Sequence, residues 1–451
     1  MRKLITTFIL IFSFFLSSQE TLFTLVDNSK TGINFSNELV DTKEHSIFLY
    51  ANYYGGAGVG IGDFDNDGLE DIFFAANLLD DKIYKNLGNF EFEDKTKMSG
   101  IINNGSWSTG VTVADVNNDG LLDIYVSCEL YDDVPLLRRN KLYINQGSFK
   151  FKESASEWGV DVDRRTRHSV FFDYNKDGLL DLYLLNHPPN TGNFSPFFGK
   201  DMSLPEYNLQ LFENKGNHFV DVTQSAGLSR SGFPNAAVIG DFNKDGWPDI
   251  YVANDFDSPD FLYFNNKDKT FTYATETSLR HTSFYSMGVD AADINNDSHL
   301  DLMVLDMTAE DNFRLKSNMS GMNPDSFWKV VNDGGHYQYM FNTLQLNNGN
   351  DTFSDIAQFT GTAATDWSWS SLVADFDNDG QKDIYITNGL LRDIRNTDAD
   401  KKIADIVSKK INEYIIQNPN NTEITLWDVV DLKELLDLLP SQKLKNYYYK
   451  N

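Results

Sequence analysis

The sequence predicts an all-β protein, a β-propeller of four-stranded blades, and two observations predict this fold class. An acidic frame of nine residues recurs along the chain, at 63–71, 115–123, 173–181, 241–249, 293–301 and 375–383. Apolar runs of strand length flank every copy, and repeats of roughly fifty residues with insertions are typical of propeller blades. We therefore expect six blades, with seven as the alternative, and a helical insertion near the C-terminus.

The acidic frame has the donor pattern of a calcium site. Side-chain oxygens stand at positions 1, 3 and 5, a backbone carbonyl at position 7 and a carboxylate at position 9, which suits the oxygen coordination of Ca²⁺. A glycine at position 6 allows the sharp turn over an ion, although Ser298 replaces it in the fifth copy. The expected ligands are Asp63, Asp65, Asp67, Leu69, Asp71, Asp115, Asn117, Asp119, Leu121, Asp123, Asp173, Asn175, Asp177, Leu179, Asp181, Asp241, Asn243, Asp245, Trp247, Asp249, Asp293, Asn295, Asp297, His299, Asp301, Asp375, Asp377, Asp379, Gln381 and Asp383.

Two alternatives to a calcium loop of this kind are disfavoured. A solvated Asp-Gly turn would explain one copy, but six copies in one frame argue against it. An EF-hand needs a Glu at position 12 and a helix on each side. Position 12 is apolar in every copy, as at Phe74 and Val126, and the flanking segments have strand character.

Each repeat unit divides into four predicted strands, A to D, with the acidic frame joining A to B. In the first unit the predicted strands are 58–62, 71–76, 82–86 and 90–94, and in the second they are 111–113, 123–126, 141–145 and 149–152. Strand C ends in an Asn in later units too, at 211–214, 262–265 and 344–347. Strands A and B are apolar at nearly every position, which predicts burial on both faces, whereas strand D alternates and should be half exposed.

The last unit predicts how a ring could close. Its strands A and B are 369–374 and 383–387, and strand C is 446–451. Between B and C lies a predicted helical insertion, 390–444, with apolar residues at helical spacing within 398–439. Because the segment 23–33 aligns with 90–101, we expect it to supply the missing strand D and complete six blades. Alternatively, the chain is a fragment and 447–451 begin a seventh blade.

Composition limits the function classes and predicts export. The net charge of −28 disfavours nucleic-acid binding, and one cysteine, Cys128, allows no disulfide framework. Met1-Arg2-Lys3, an apolar run and then Ser17-Ser18 predict a signal peptide at 1–18 that is too short to span a membrane. We therefore expect a mature propeller at 19–451, secreted or on the cell surface, specifically a bacterial outer surface, where calcium is plentiful.

The repeat motifs resemble those of FG-GAP/VCBS-repeat proteins, which include the cartilage acidic protein (ASPIC/UnbV-containing) group. The resemblance rests on Gly-x-Gly-Asp-Phe-Asp-Asn-Asp-Gly at 60–68, Ala-Asp-Val-Asn-Asn-Asp-Gly at 114–120 and Thr-Asp-Trp-Ser-Trp at 365–369. The family is similar to integrin α-subunit propellers, which implies calcium hairpins on the face opposite the ligand. An ASPIC/UnbV module is not recognisable, so its function does not transfer.

A ligand site is expected on the face opposite the acidic loops. Insertions at 186–207, 306–339 and 390–444 should lie there, and elaborated loops on a rigid scaffold often carry function. Aromatic side chains beside Arg and Asp suit a sugar or a peptide, although the aromatics could equally be core plugs and the Arg and His side chains could be paired locally. The candidate ligand-binding residues are Tyr53, Tyr54, Trp107, Arg165, Arg167, His168, His281, Tyr285, Asp366 and Trp367.

Three functions remain open from the sequence. The first is a secreted calcium-binding module for adhesion to an extracellular protein or glycan. The second is a polysaccharide lyase or glycosidase on the same scaffold, with Asp366 and Asp255 as candidate carboxylates. The third is a purely structural module of a larger secreted protein. No motif fixes a catalytic pair, so the sequence favours binding over catalysis.

Overall fold

The computed structural model describes residues 24–188, 205–256, 258–319, 322–419 and 424–451. The expected signal peptide lies outside these ranges. Within them, the chain forms six successive antiparallel sheets, five of four strands and one of three. Sheets 1 to 3 comprise Val59–Gly62, Asp71–Phe74, Lys82–Asn86 and Phe92–Asp94; Trp107–Ala114, Asp123–Glu129, Lys141–Asn145 and Phe151–Glu153; and Arg165–Phe172, Asp181–His187, Gln210–Asn214 and Phe219–Asp221. Sheets 4 to 6 comprise Pro234–Gly240, Asp249–Asn254, Phe261–Asn265 and Phe271–Tyr273; Gly288–Ala292, Asp301–Leu305, Thr343–Asn347 and Phe353–Asp355; and Ser368–Ala374, Asp383–Asn388 and Tyr447–Tyr449.

One hairpin register recurs in all six sheets. The last residue of strand A pairs with position 9 of the acidic loop, as in Gly62 with Asp71 and Ala374 with Asp383. The acidic frame is therefore the A-to-B turn in every sheet. The predicted strands B and C fall within a few residues of the observed ones, because the frame and the terminal Asn mark their ends.

Neighbouring sheets pack face to face through apolar side chains. Tyr125 and Leu142 of sheet 2 share a buried cluster with Leu182 and Phe212 of sheet 3. The strands A approach one another closely, since a side chain at Gly110 would collide with the backbone of His168 in the next sheet. Glycine at this position is thus required by the spacing of the sheets rather than by the strand itself.

A short helical turn follows strand D in several sheets, at Thr96–Ser99, Ala155–Trp158, Thr275–Ser278 and Ala357–Thr360. The N-terminal segment has the same turn at Asn28–Thr31, where Asp27 accepts the backbone N–H of Ser29 at 2.8 Å. Gly32 then lies against the carbonyl of Phe92 in sheet 1, as Gly100 lies against Phe151 in sheet 2. The alignment of 23–33 with 90–101 therefore holds for the turn.

The predicted fourth strand of sheet 6 is not observed among the described residues. Residues 24–27 are extended but are not hydrogen-bonded into a strand, and sheet 6 has three strands among the described residues. The Asp27 side chain caps the turn that follows instead. Residue 23 lies outside the described part of the chain.

Among the described residues, two insertions elaborate the end of the molecule opposite the acidic loops; most of the third expected insertion, 186–207, lies outside the described ranges. Sheet 5 carries helices at Asn312–Ser317 and Pro324–Asn332, and Thr282–Ser283 pairs in parallel with Gln338–Tyr339. Between strands B and C of sheet 6 lie helices at Thr397–Gln417, Leu426–Val429 and Leu432–Leu436. Among the described residues, every helix is too short or too polar to cross a lipid bilayer.

The N-terminal segment 39–54 and the described parts of the sheet 6 insertion, 390–419 and 424–444, pack together as one unit, which we call the cap. Tyr50 and Tyr53 pack with Leu436 and Leu439 in a cluster that also holds Trp107 of sheet 2. The two ends of the chain are thereby joined by apolar contacts over one end of the sheets. Burial of this kind stabilises by about 25 cal/mol for each Å² of apolar surface.

Candidate functional site

The six acidic loops share one backbone conformation and one set of internal hydrogen bonds. In the first loop, both oxygens of Asp63 accept backbone N–H groups, from Asp67 at 3.0 Å and Gly68 at 2.7 Å. Position 4 has a positive φ in every loop, from 56° to 60°, at Asn66, Asn118, Lys176, Lys244, Asn296 and Asn378. This left-handed turn, which Asn tolerates well, folds the first half of the loop back over the position 1 carboxylate.

Position 9 is a buried carboxylate with both oxygens already hydrogen-bonded. Asp71 accepts the N–H of Phe64 at 2.9 Å and that of Asn86 at 2.8 Å. Burial raises the pKa of Asp71 to about 6, and it raises the pKa of Asp123 and Asp181 to about 7. A buried carboxylate of this kind is stabilised in its ionised form by a nearby cation.

The first and sixth loops gather three carboxylates closely. Ligand oxygens of Asp63, Asp65 and Asp71 all lie within 4.8 Å of one another, and those of Asp375, Asp377 and Asp383 do the same. The geometry of these two loops could hold a metal ion. In the other four loops position 3 is Asn, at Asn117, Asn175, Asn243 and Asn295, which offers a neutral oxygen instead.

A lysine faces each of the two loops with Asp at position 3. Lys85, which precedes the terminal Asn of strand C, ion-pairs with Asp65 and contacts Asp67 at 2.7 Å. Lys450 pairs with Asp377 and lies 3.1 Å from Asp379 in the sixth loop. The lysine offsets the additional charge of the position 3 Asp. The sequence did not reveal this pairing because the lysine and the loop Asp are far apart in the chain, as Lys85 and Asp65 are.

The terminal Asn of strand C joins adjacent sheets, a role the sequence motif did not reveal. Asn145 donates from Nδ2 to Phe64 O of the previous acidic loop at 2.9 Å and to Leu122 O of its own loop at 3.0 Å. The same cross-sheet bond is made by Asn214 to Val116, Asn265 to Tyr174, Asn347 to Phe242 and Asn451 to Ile294. The recurrence of Asn at one strand position was the available signal.

At the other end of the strands, all six sheets contribute to one cavity of about 360 Å³, which we call the axial cavity. The segments just before or at the start of strand A line it: 55–58, 109–110, 167–168, 235–237, 287–289 and 369–370. His168 lies here with its pKa lowered to about 4 by burial and by Arg167. Arg167 itself is 3.4 Å from the buried Glu129 and donates to the carbonyl of Gly55.

A second cavity, of about 390 Å³, continues from the axial cavity under the cap, and we call it the mouth cavity. Both cavities share Gly55, Met287 and Trp369. The mouth wall is largely aromatic and thioether, formed by Tyr54, Phe256, Tyr285, Met287, Met307, Met319, Trp367 and Trp369. Asp255, Arg395 and Asp400 are its charged residues.

The structure brings five of the ten candidate ligand residues to these cavities. Tyr54, Tyr285 and Trp367 line the mouth cavity, and Arg167 and His168 line the axial cavity. Since the mouth and the acidic loops lie at opposite ends of strand A, any ligand of the mouth would bind far from the loops.

The remaining five candidates have local partners. Tyr53 and Trp107 are buried in the apolar cluster beneath the cap, Arg165 ion-pairs with Asp132, and His281 lies 3.2 Å from Asp355. The positions of these side chains follow from packing and pairing, which were the alternatives recognised for Trp, Arg and His in the sequence.

Asp366 is bound by an arginine of the sheet 5 insertion. The Arg314 guanidinium donates to both Asp366 oxygens, at 2.6 and 2.8 Å, and to Asp393 at 3.1 Å. A carboxylate held in this bidentate pair is not free to act as the second acid of a glycosidase. The geometry therefore does not support the pairing of Asp366 with Asp255 that catalysis would require.

A family model described as an FG-GAP-like repeat matches the chain at residues 44–126, 202–252, 241–304 and 327–386, together more than half of its length. The chain is also similar to cartilage acidic protein 1 of Xenopus tropicalis, with 25% identity over 164 residues. That stretch is 36% of this chain and 24% of the relative, so the match spans about a quarter of the curated protein.

Three solved structures show weaker similarity. A lectin of Agrocybe aegerita, described as recognising non-reducing terminal N-acetylglucosamine, has 17% identity and a TM-score of 0.41, with 73% of each chain covered. The V. cholerae biofilm matrix protein Bap1 has 16% identity and a TM-score of 0.36, covering 63% of this chain and 36% of that one. The Trypanosoma rangeli sialidase has 11% identity and a TM-score of 0.38, covering 79% and 56%. TM-scores this low do not establish a common fold.

Proposed function

This chain belongs to the FG-GAP-like repeat family, and on that premise we propose that it is a secreted, calcium-stabilised propeller of six blades that binds an extracellular protein or glycan at its mouth cavity. The observation that carries the proposal is the convergence of six strands A on one cavity, with an aromatic mouth at the end opposite the acidic loops. Concave, largely apolar sites with a few charged groups are the usual form of a ligand pocket.

For the acidic loops, we propose that each binds a Ca²⁺ ion. The side-chain oxygens at positions 1, 3 and 5 and the carbonyl at position 7 would supply the ligands, with the position 9 carboxylate completing each set. The carboxylate clusters at Asp63 and Asp375 support this assignment most directly. Bound cations would offset the charge of the loops, which contribute much of the net −28.

The six-bladed ring is supported by contacts between the two ends of the chain. The turn at Asn28–Thr31 lies against sheet 1 in the way that the turns after strand D lie against the next sheet. The cap adds apolar contacts between the N-terminal segment and the sheet 6 insertion. We infer that these contacts take the place of the fourth strand of sheet 6 in closing the ring.

Export and the mature boundary are part of the same proposal. The first 18 residues would act as the signal peptide, which leaves 19–451 as the mature propeller. An extracellular location provides the calcium that loops of modest affinity need in order to stay filled.

Binding at the mouth is tested with a glycan array and an extracellular protein array, both probed in calcium. We expect the wild-type chain to bind at least one class of ligand, and we expect Trp367→Ala and Tyr285→Ala, which truncate aromatic rings of the mouth wall, to lose that binding. Phe359→Ala is the matched control, because Phe359 is 92% exposed on the turn after strand D of sheet 5. The proposal would be contradicted if neither array shows a ligand, or if both mouth variants still bind the ligand. Release of reducing sugar from a bound polysaccharide would show that the protein is an enzyme and not a binding module.

A further inference from the structure

The mouth cavity contains one buried carboxylate with an oxygen that accepts no hydrogen bond from the described residues. Asp255 is 6% exposed and lines the cavity. Its Oδ1 accepts the N–H of Phe256 at 2.7 Å, and its backbone N–H donates to Phe233 O at 2.9 Å. Within the described ranges, Oδ2 has no hydrogen-bond donor, and no Lys, Arg or His nitrogen lies within 4.0 Å of the carboxylate.

Three other buried carboxylates in this region, Asp306, Asp366 and Asp393, accept hydrogen bonds on both oxygens. Asp306 accepts the hydroxyl of Ser283 at 2.6 Å and several backbone N–H groups. Asp366 and Asp393 share the guanidinium of Arg314. A buried carboxylate oxygen that lacks both a hydrogen-bond donor and a close cation is disfavoured, so its presence in a cavity wall points to a cationic ligand.

The walls around Asp255 suit an organic cation with an apolar body. The rings of Trp367, Trp369 and Tyr285 line the cavity, and Phe256 packs edge-on to Tyr285 with 6.3 Å between ring centroids. Aromatic faces attract ammonium groups, and thioethers such as Met307 accommodate methylene chains. A volume of about 390 Å³ admits one side chain or small molecule rather than a folded segment.

We propose, as a deepening of the function proposed above, that the mouth cavity binds the side chain of a lysine presented by an extracellular protein, with Asp255 as the counter-ion of its ammonium group. A lysine offers a single compact cation on a four-carbon apolar stem, which matches one carboxylate at the end of an apolar wall. An amino sugar carries the same ammonium group but lacks the four-carbon apolar stem that the aromatic and thioether side chains of this wall would pack against.

The charged groups that face Asp255 define the pH dependence of this binding. Burial raises the pKa of Asp255 to about 7, while Arg395 and Arg167 oppose the shift and Asp306 adds to it. Since lysine stays protonated across this range, protons compete with it for the carboxylate as the pH falls below about 7. Affinity should therefore decrease as the pH is lowered from 8 to 6.

The test uses titration calorimetry and tryptophan fluorescence on the full chain in calcium, with three probes. These are N-acetyl-lysine methylamide, its norleucine counterpart, which lacks the ammonium group, and glucosamine. We expect the lysine probe to bind about tenfold or more tightly than the other two, and Asp255→Asn to lower its affinity by a similar factor. Asp405→Asn, exposed on the helix Thr397–Gln417 and outside the lining of both cavities, is the matched control and should change affinity less than about threefold.

The outcomes separate this inference from the proposed function. Equal affinity for the lysine and norleucine probes, no binding of the lysine probe, or binding unaffected by Asp255→Asn would overturn the lysine assignment. Preference for glucosamine would move the ammonium group from a protein to a glycan and would also overturn it. If the arrays still show a ligand that depends on Trp367, the mouth remains a binding site and only the assignment of lysine as its ligand is wrong.

The Asp255→Asn variant is expected to fold, because the substitution removes a buried charge, and its melting temperature should not fall below that of the wild type. The pH dependence of the wild-type chain provides a test that needs no variant.

Discussion

At the scale of single residues, one polar side chain fastens the end of strand B in most sheets. A side-chain oxygen just before or at the start of strand C accepts the backbone N–H at that end: Asp81 from Ala76, Asn140 from Cys128, Asp260 from Asn254, Asn342 from Asp306 and Asn446 from Asn388. Asn and Asp both make this bond, but Asp brings a charge into a buried site. Burial raises the pKa of Asp260 to about 7.

Replacing Asp260 with Asn should therefore stabilise the protein at high pH. The carboxyl titrates near 7 in the folded chain and near 4 when unfolded, so the folded state binds more protons between these values. The free energy of unfolding consequently falls as the pH rises from about 4 to about 7. We expect Asp260→Asn to raise the melting temperature at pH 8 by about 2 °C or more, with no gain at pH 4.

The measurement is thermal unfolding as a function of pH, with the exposed Asp80→Asn as control. The difference between the variant and the wild type should grow between pH 4 and pH 7 and then level off. A constant difference, or the same pH profile in Asp80→Asn, would show that the Asp260 carboxyl does not titrate as described.

At the scale of elements, the hairpins and the terminal Asn of strand C determine how sheets join. Asn265 donates from Nδ2 to Tyr174 O of sheet 3 at 2.8 Å and to Pro248 O of its own acidic loop at 3.2 Å, and it accepts the N–H of Lys267 at 2.9 Å. One buried side chain thus satisfies three backbone groups in two sheets. Backbone groups left unpaired in a buried site are costly.

Asn265→Ala should destabilise the protein by about 2–3 kcal/mol, because two buried carbonyls and one N–H lose their partners. Chemical unfolding in calcium measures the effect. Asn266→Ala is the matched control, since its neighbouring side chain is exposed and bonds locally to Thr270. Equal stability of the two variants would mean that the cross-sheet bonds add little to the joining of sheets.

The elements differ in how far the sequence predicts them. Strand C of the first and second units is predicted at the observed residues, Lys82–Asn86 and Lys141–Asn145, because the Asn and the alternating apolar residues mark it locally. The helices at Asn312–Ser317 and Pro324–Asn332 were not predicted, because 6 and 9 residues give fewer than three turns over which helical spacing can be recognised. The fourth strand of sheet 6 was expected from the alignment of 23–33 with 90–101 and is absent among the described residues, because strand pairing depends on residues more than 400 positions away.

The candidate site, like the secondary structure, could be predicted from the sequence only in part. The acidic loops are evident because their residues are adjacent in the chain, and the structure brings three carboxylates together in two of them. The mouth was located by topology alone, but the partner of Asp366 and the lack of one at Asp255 depend on contacts distant in sequence. Sequence patterns reveal which side chains share a loop, not which charges remain unpaired.

At the scale of the whole molecule, the two ends of the sheets differ in their charge and in the structures they carry. The end with the acidic loops concentrates negative charge, and the position 4 side chains link successive loops, as Asn66 donates to Gly120 O at 3.0 Å and Asn118 to Gly178 O at 3.1 Å. The other end carries the cap and the mouth cavity. We propose that metal ions fasten the sheets at one end, which would leave the opposite end free to vary around a ligand.

Thermal unfolding with and without calcium tests this account most directly. Ions that bind only the folded loops stabilise it by mass action, by about 2.7 kcal/mol for each site at a hundredfold excess over its dissociation constant. We expect removal of calcium by a chelator to lower the melting temperature by at least about 10 °C, and added calcium to restore it. An unchanged melting curve after chelation would show that the acidic loops fasten the ring without a metal ion, and would contradict the central claim.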